Sequence, residues 1–168
     1  SKSMEENKDE SKFQSFISSS IFQNLDSSCR SIVLKAEEND INSIILLSRS
    51  FLEGTNKFPQ NIEFSVKYLQ KAIDLRCLEA LEIYGTMLFK GDIIAKDEAK
   101  AIEILNKAVS EYNSSYAKFI LAQIEYSHRT CGPNGFDDSN VNYVLLKKLS
   151  KEAADDENFP GNVDAMVL

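Results

Sequence analysis

The chain repeats itself at an interval of 37 residues, and no other feature restricts its fold as much. The series Ala80, Tyr84, Gly85, Met87, Leu88, Gly91 has a counterpart one interval earlier in Ser43, Leu47, Ser48, Ser50, Phe51, Gly54. One interval later stand Ala117, Leu121, Ala122, Ile124, Glu125 and His128. Small residues align with small ones, large apolar residues mostly with large apolar ones, and glycine with glycine. A second set aligns as well: Val66 through Ala72, Ile102 through Ala108, and Tyr143 through Leu149. A recurrence of roughly 36 to 40 residues is the length of a helical hairpin, stacked with others of its kind into a solenoid.

The local pattern agrees. Leu81, Tyr84, Gly85 and Leu88 follow i, i+3, i+4, i+7 spacing, which puts them on one helical face. Ala101, Leu105 and Ala108 share another face, with Ile102 and Ile104 beside it. Asp97 is placed to cap that second helix, and Lys107 is expected near its end, where a cation complements the helix dipole. With 6 glycines and 3 prolines the chain has few obligatory turns, and no stretch alternates with period two long enough to read as a strand. Gly85, Ala122 and Ser48 fall where the two helices of a hairpin must approach closely. Leu47, Phe51, Tyr84, Leu88, Tyr68, Leu69, Leu105 and Leu145 are expected to fill the layer between hairpins. Each such side chain contributes roughly 1.5–3 kcal/mol when buried.

The central unit resembles the Sel1-like repeat, a relative of the tetratricopeptide repeat. The resemblance rests on Ala80, Tyr84-Gly85, Leu88, Gly91, Ile94-Ala95-Lys96-Asp97, Lys100-Ala101, Leu105 and Lys107-Ala108. The first unit matches at Gly54, Pro59, Lys71 and Ala72, and the third at Ala117, Leu121, Ala122, Asp138 and Lys148. The third unit carries an insertion around Gly132-Pro133-Asn134-Gly135, which reads as a turn. Arg76 and Ile93 occupy slots where the family often has other residues, glycine in the case of Arg76. Glu125 and His128 replace the usual aromatic and glycine, which puts the local turn geometry of the third unit in question. The resemblance implies an all-α fold, a right-handed α-α superhelix of antiparallel helix pairs. About three repeats are expected, over 43–79, 80–116 and 117–157, with an N-terminal helical cap or degenerate repeat over 13–40. That cap rests on Phe13, Phe16, Ile17, Ile21, Phe22 and Leu25, followed by Ile32, Val33, Leu34 and Ala36. Residues 1–12 are polar and are expected to be disordered or a tag remnant. Residues 161–168 read as the start of a further repeat, as in a fragment of a longer solenoid, or as a cap or tail.

Charge and cysteine content exclude several function classes. A net charge of −7 disfavours nucleic acid and anionic membrane as partners. No apolar run is long enough for membrane insertion. Cys29, Cys77 and Cys131 are too scattered for a disulfide framework or zinc site, are expected as packing residues, and suit a reducing, cytoplasmic setting. His128, near Cys131 and Arg129, is expected as a loop or helix-end residue, not part of a nucleophilic pair. Glu37-Glu38, Asp137-Asp138 and Asp155-Asp156-Glu157 read as solvated residues or caps. No glycine-rich phosphate loop is present. The sequence therefore predicts no enzyme activity, no metal and no cofactor.

Surface recognition remains. In helix-pair solenoids the first helices line a concave binding face, which the resemblance places residue by residue. The first unit offers Asn42, Ile45, Arg49 and Leu52. The second offers Glu79, Glu82, Thr86, Phe89 and Lys90, and the third Phe119, Gln123, Tyr126 and Ser127. Ile45, Leu52, Phe89, Phe119 and Tyr126 are apolar at positions that packing inside a unit does not require, so they are expected to form an exposed strip. The expected function is a protein-interaction module, an adaptor or scaffold, for a peptide or protein partner. The alternative is a targeting or regulatory arm of a larger enzyme such as a protein kinase. Self-association through exposed solenoid ends is a further expectation.

Overall fold

The structure, a computed structural model, describes residues 20–157, with only the backbone at Ile21. The expectations for residues 1–12, for Phe13, Phe16, Ile17 and the Ile21 side chain, and for 161–168 lie outside the described residues. The chain divides into two compact units after Leu75.

The first unit holds α1 (Ser20–Asn24), α2 (Ser27–Glu37), α3 (Ile41–Glu53) and α4 (Ile62–Asp74). Each of the last three starts where a short polar side chain takes up a free backbone N–H of the first turn. Asp26 accepts from Cys29 N at 2.9 Å, Asp40 from Ser43 N at 3.0 Å, and Asn61 from Phe64 N at 3.0 Å. Val33, Ala36, Ile44, Leu47, Phe51, Tyr68, Leu69 and Ala72 are fully buried. The Phe51 ring stacks on Tyr68 at 6.0 Å and meets Phe58 edge-on at 5.2 Å. At the closest approach of α3 and α4 lie Ser48 and Ser65, both buried. Ser48 Oγ donates to the Ser65 carbonyl at 3.0 Å, and Ser65 Oγ donates to the Ser48 carbonyl at 2.8 Å. A pair of small residues thus lets the helices close up while satisfying its own hydroxyls. Leu34, expected in the packed series of α2, is exposed instead. Glu37, expected to be solvated, is half-buried and accepts from Tyr68 Oη at 3.1 Å.

The second unit holds α5 (Leu78–Lys90), α6 (Glu98–Tyr112), α7 (Ser115–Tyr126) and α8 (Tyr143–Ala154). The strands β1 (Thr130–Gly132) and β2 (Gly135–Asp137) form an antiparallel hairpin between α7 and α8, with Cys131 opposite Phe136. Asp97 caps α6 as expected, accepting from Lys100 N at 3.0 Å. Ser114 caps α7 and Asn142 caps α8. Leu81, Tyr84, Gly85 and Leu88 are buried, as are Ala101, Leu105 and Ala108. Gly85 faces Leu105 so closely that a Cβ there would lie 2.7 Å from Leu105 Cγ.

The register persists in the helix boundaries. The first helices start at Ile41, Leu78 and Ser115, at the interval read from the sequence. Two of them end on a left-handed glycine, Gly54 at φ 67° and Gly91 at φ 63°. Arg76, in the slot where glycine is usual, still adopts φ 62°. Its carbonyl accepts from Tyr112 Oη at 2.8 Å.

Further expectations are corrected. Helix α6 continues to Tyr112, so Lys107 falls more than a turn short of its end. Leu145 is exposed, and Leu146, in register with Leu105, takes the buried place. The insertion contains strands: Pro133 and Asn134 form the turn and Gly135, at φ 103°, admits the reversal. Cys29 is buried and Cys77 half-buried, but Cys131 lies exposed on β1 and is no packing residue.

Candidate protein-interaction surface

The first helices position the candidate residues, and the two units are taken in turn. In the second unit α5 and α7 are neighbours. Ser114 Oγ, at the start of α7, donates to Glu82 Oε1 on α5 at 2.7 Å. Thr86 Oγ1 donates to the Glu82 carbonyl at 2.7 Å and lies 3.5 Å from Tyr116 Oη on α7. Glu82 is half-buried, and its carboxyl titrates above the usual range, first because burial penalises the charged form. The Ser114 hydrogen bond opposes that shift, and Glu79 one turn away reinforces it.

Further along α5, Phe89 is half-buried beneath the Lys96 ammonium, 5.3 Å from the ring centre. Lys90 is exposed in the last turn. On α7, Phe119 is half-buried with its ring 6.4 Å from that of Tyr116 and Gln123 is exposed, as is Ser127 just past the helix end. Tyr126 is half-buried, and its hydroxyl accepts from Arg129 Nη1 at 2.7 Å. The same guanidinium sits 3.7 Å from the centre of the Phe136 ring, itself 65% exposed on β2. The structure thus brings Glu82, Thr86, Phe89 and Lys90 onto α5 and Phe119, Gln123 and Tyr126 onto the neighbouring α7, with Ser127 just past its end.

In the first unit Asn42 and Arg49 are exposed on α3 and Leu52 is half-buried. Ile45 does not belong to an exposed strip, being only 8% exposed. The reason is lateral packing: α2 and α4 both lie against α3, so its flanks are covered as well as its inner face. Glu82, one interval further on, is half-buried beside Ser114 of α7, and Phe119, two intervals on, is half-buried beside Tyr116. On α3 the outward line runs instead through Asn42, Leu46 and Arg49, whereas on α7 Ile120, two intervals after Leu46, is buried. Leu46 on α3 and Tyr116 on α7 are exposed, and sequence reasoning passed over both. The register held the signal, because Tyr116 stands two intervals after Asn42 and one after Glu79.

Among the described residues no group of three or more His, Cys, Asp or Glu side chains could hold a metal ion. No described helix is long and apolar enough to cross a membrane.

No protein-family model matches the chain, and no curated protein does either. Solved structures do. A Sel1 repeat protein from Oxalobacter formigenes superimposes with a TM-score of 0.59 at 21% identity, over 77% of this chain and 90% of that one. The chain has the Sel1-repeat fold. A second match is c5321, a protective antigen of uropathogenic Escherichia coli strains displaying the same kind of fold, with a TM-score of 0.58 at 18% identity. It aligns over 73% of this chain, which spans 24% of that antigen's length. The Sel1 repeat is an all-α solenoid of helix pairs, and the resemblance read from Ala80 to Ala108 is borne out at the level of the fold.

Proposed function

We propose that the chain is a protein-interaction module, an adaptor or scaffold that presents its first helices to a peptide or protein partner. The reading treats 43–79, 80–116 and 117–157 as its repeats. One observation carries it. In the second unit Phe89, Tyr116, Phe119 and Tyr126 keep part of their surface open on the neighbouring helices α5 and α7, interleaved with Thr86 and Gln123. Aromatic rings with polar neighbours suit recognition, because a ring gives large contact area at little conformational cost. In the first unit Leu46 and Arg49 are exposed on α3.

The test is Phe89→Asp combined with Tyr126→Asp. Partners captured by the wild-type chain are identified by mass spectrometry, purified, and titrated against the double variant. Binding is expected to fall at least about a hundredfold, as for loss of two anchoring aromatics. Far-UV helicity and melting temperature should stay near wild type. A control at exposed Lys147→Glu on α8 should bind normally. Unchanged binding by the folded double variant would defeat the face assignment, and a double variant that unfolds would mark both rings as core.

A further inference from the structure

His128 stands one interval after Gly91 and two after Gly54, at the point where a first helix ends. Its ring addresses two carboxylates at once. Nε2 lies 2.5 Å from Glu98 Oε1, and Nδ1 lies 3.6 Å from Glu125 Oε1. Glu98 belongs to the first turn of α6 and Glu125 to the last turn of α7. The same Glu125 oxygen accepts the backbone N–H of Asn142, the cap of α8, at 2.6 Å. One imidazole therefore sits where three helix ends meet.

The ring's chemistry makes this junction proton-dependent. A neutral imidazole has one N–H, and its other nitrogen carries a lone pair. Whichever tautomer forms, one carboxylate then faces a lone pair. Only the imidazolium presents an N–H to both. From α6 the facing charge is Glu98 and from α7 it is Glu125, while α8 contributes the Asn142 N–H. Arg129 is held elsewhere, on Tyr126 and Phe136. The hydrogen bond with Glu98 raises the His128 pKa above its ordinary 6.5; burial opposes this, and the charges of both glutamates add to it.

We propose that His128 is a proton-operated latch. Protonated, it ties the connection 128–142, with its β1–β2 hairpin, to the first turn of α6 and the cap of α8. Deprotonated, it releases that connection. The folded ring holds its proton more tightly than the unfolded one. The stabilisation is therefore complete below the unfolded value and is lost as pH rises through the raised folded value. It also needs both glutamates ionised, which sets the lower edge of the window in the carboxylate range. The latch does not depend on which face binds a partner.

The sequence has 1 histidine, so its ring resonances in a proton NMR titration need no assignment by mutagenesis. The midpoint is expected above 6.5 in the wild type and lower in Glu98→Gln. Hydrogen exchange of the amides of 129–142, corrected for intrinsic rates, reads the release directly. Protection should be several-fold greater at about pH 5.5 than at about pH 8.5, rising about tenfold for each unit by which the midpoint exceeds the ordinary value. In His128→Gln that pH dependence should vanish. A wild-type midpoint at or below 6.5 would overturn the proposal, as would the same pH dependence of protection in His128→Gln.

Discussion

Replacing Gly85 with alanine sets two effects of known size against each other. Alanine is the better helix former by about 1 kcal/mol in a helix interior. Against that, the new Cβ would stand 2.7 Å from Leu105 Cγ and 2.8 Å from Leu105 Cδ2. Comfortable carbon contacts are about 3.5–4.0 Å. Leu105 is fully buried, so it has no solvent to move into. Overpacking of this kind typically costs about 1–3 kcal/mol. With Leu105 unable to move aside the clash should outweigh the propensity gain, leaving Gly85→Ala less stable by up to about 2 kcal/mol. Leu105→Ala alone should cost about 2–5 kcal/mol through the cavity it leaves. In that background Gly85→Ala meets no obstacle, so only the propensity gain remains and the second substitution becomes neutral or stabilising. The sign reversal is the diagnostic, with a coupling energy of about 2 kcal/mol. Urea unfolding followed by far-UV circular dichroism measures all four proteins, and tyrosine fluorescence checks that the transition is cooperative, since the chain contains no tryptophan. Gly85→Ala as stable as wild type with Leu105 present would refute the claim that this glycine sets the spacing of α5 and α6. Gly85→Leu should unfold the second unit outright.

Two further outcomes follow from the same geometry. Ser48→Ala or Ser65→Ala should each cost about 1 kcal/mol, because each removes one of two buried hydroxyl-to-carbonyl hydrogen bonds and leaves the other in place, and Ser48→Ala/Ser65→Ala should cost close to the sum; a combined loss in urea unfolding far from the sum would mean the two bonds are not independent. Arg76→Gly should leave stability unchanged or raise it by up to about 1 kcal/mol, since the left-handed φ of 62° costs an L-residue more than it costs glycine; a lower melting temperature would show that the Arg76 side chain contributes more than its backbone loses.

The fold was legible because it depends on residue size at fixed spacing. A hairpin can close only where at least one of the facing residues is small, so Gly85 against Leu105 and Ser48 against Ser65 left a mark in the sequence that repeats. Asp97 was legible for a similar reason: a cap works at one offset from the helix it starts. The recognition surface was less legible, since exposure depends on neighbours that are distant in sequence. Ile45 and Leu46 are adjacent and both apolar, yet one is covered by the flanking helices and the other is open. Nothing in the local pattern separates them. Tyr116 could have been found by carrying the 37-residue register across from Asn42 and Glu79. The β1–β2 hairpin could not, because strands of three residues are too short to show a period.

The end of α7 shows what happens when the repeating solution is withdrawn. At Gly54 and Gly91 a left-handed glycine turns the chain, and seven residues separate α5 from α6. At His128 that turn is absent: Ser127 keeps a right-handed conformation, and sixteen residues pass before α8 begins. Backbone N–H groups of Ser127, His128 and Arg129 close the last turn of α7, and side chains add to them. Ser127 Oγ donates to the Ile124 carbonyl at 2.6 Å, Arg129 reaches back to Tyr126, and His128 reaches across to Glu98. Side-chain closures differ from a glycine turn in one respect that matters: they can be titrated. Where the regular units rely on backbone geometry, indifferent to pH, the irregular one adds a side chain whose charge depends on pH. The position that breaks the repeat is thus the one able to respond to conditions, while the positions that keep it carry the scaffold.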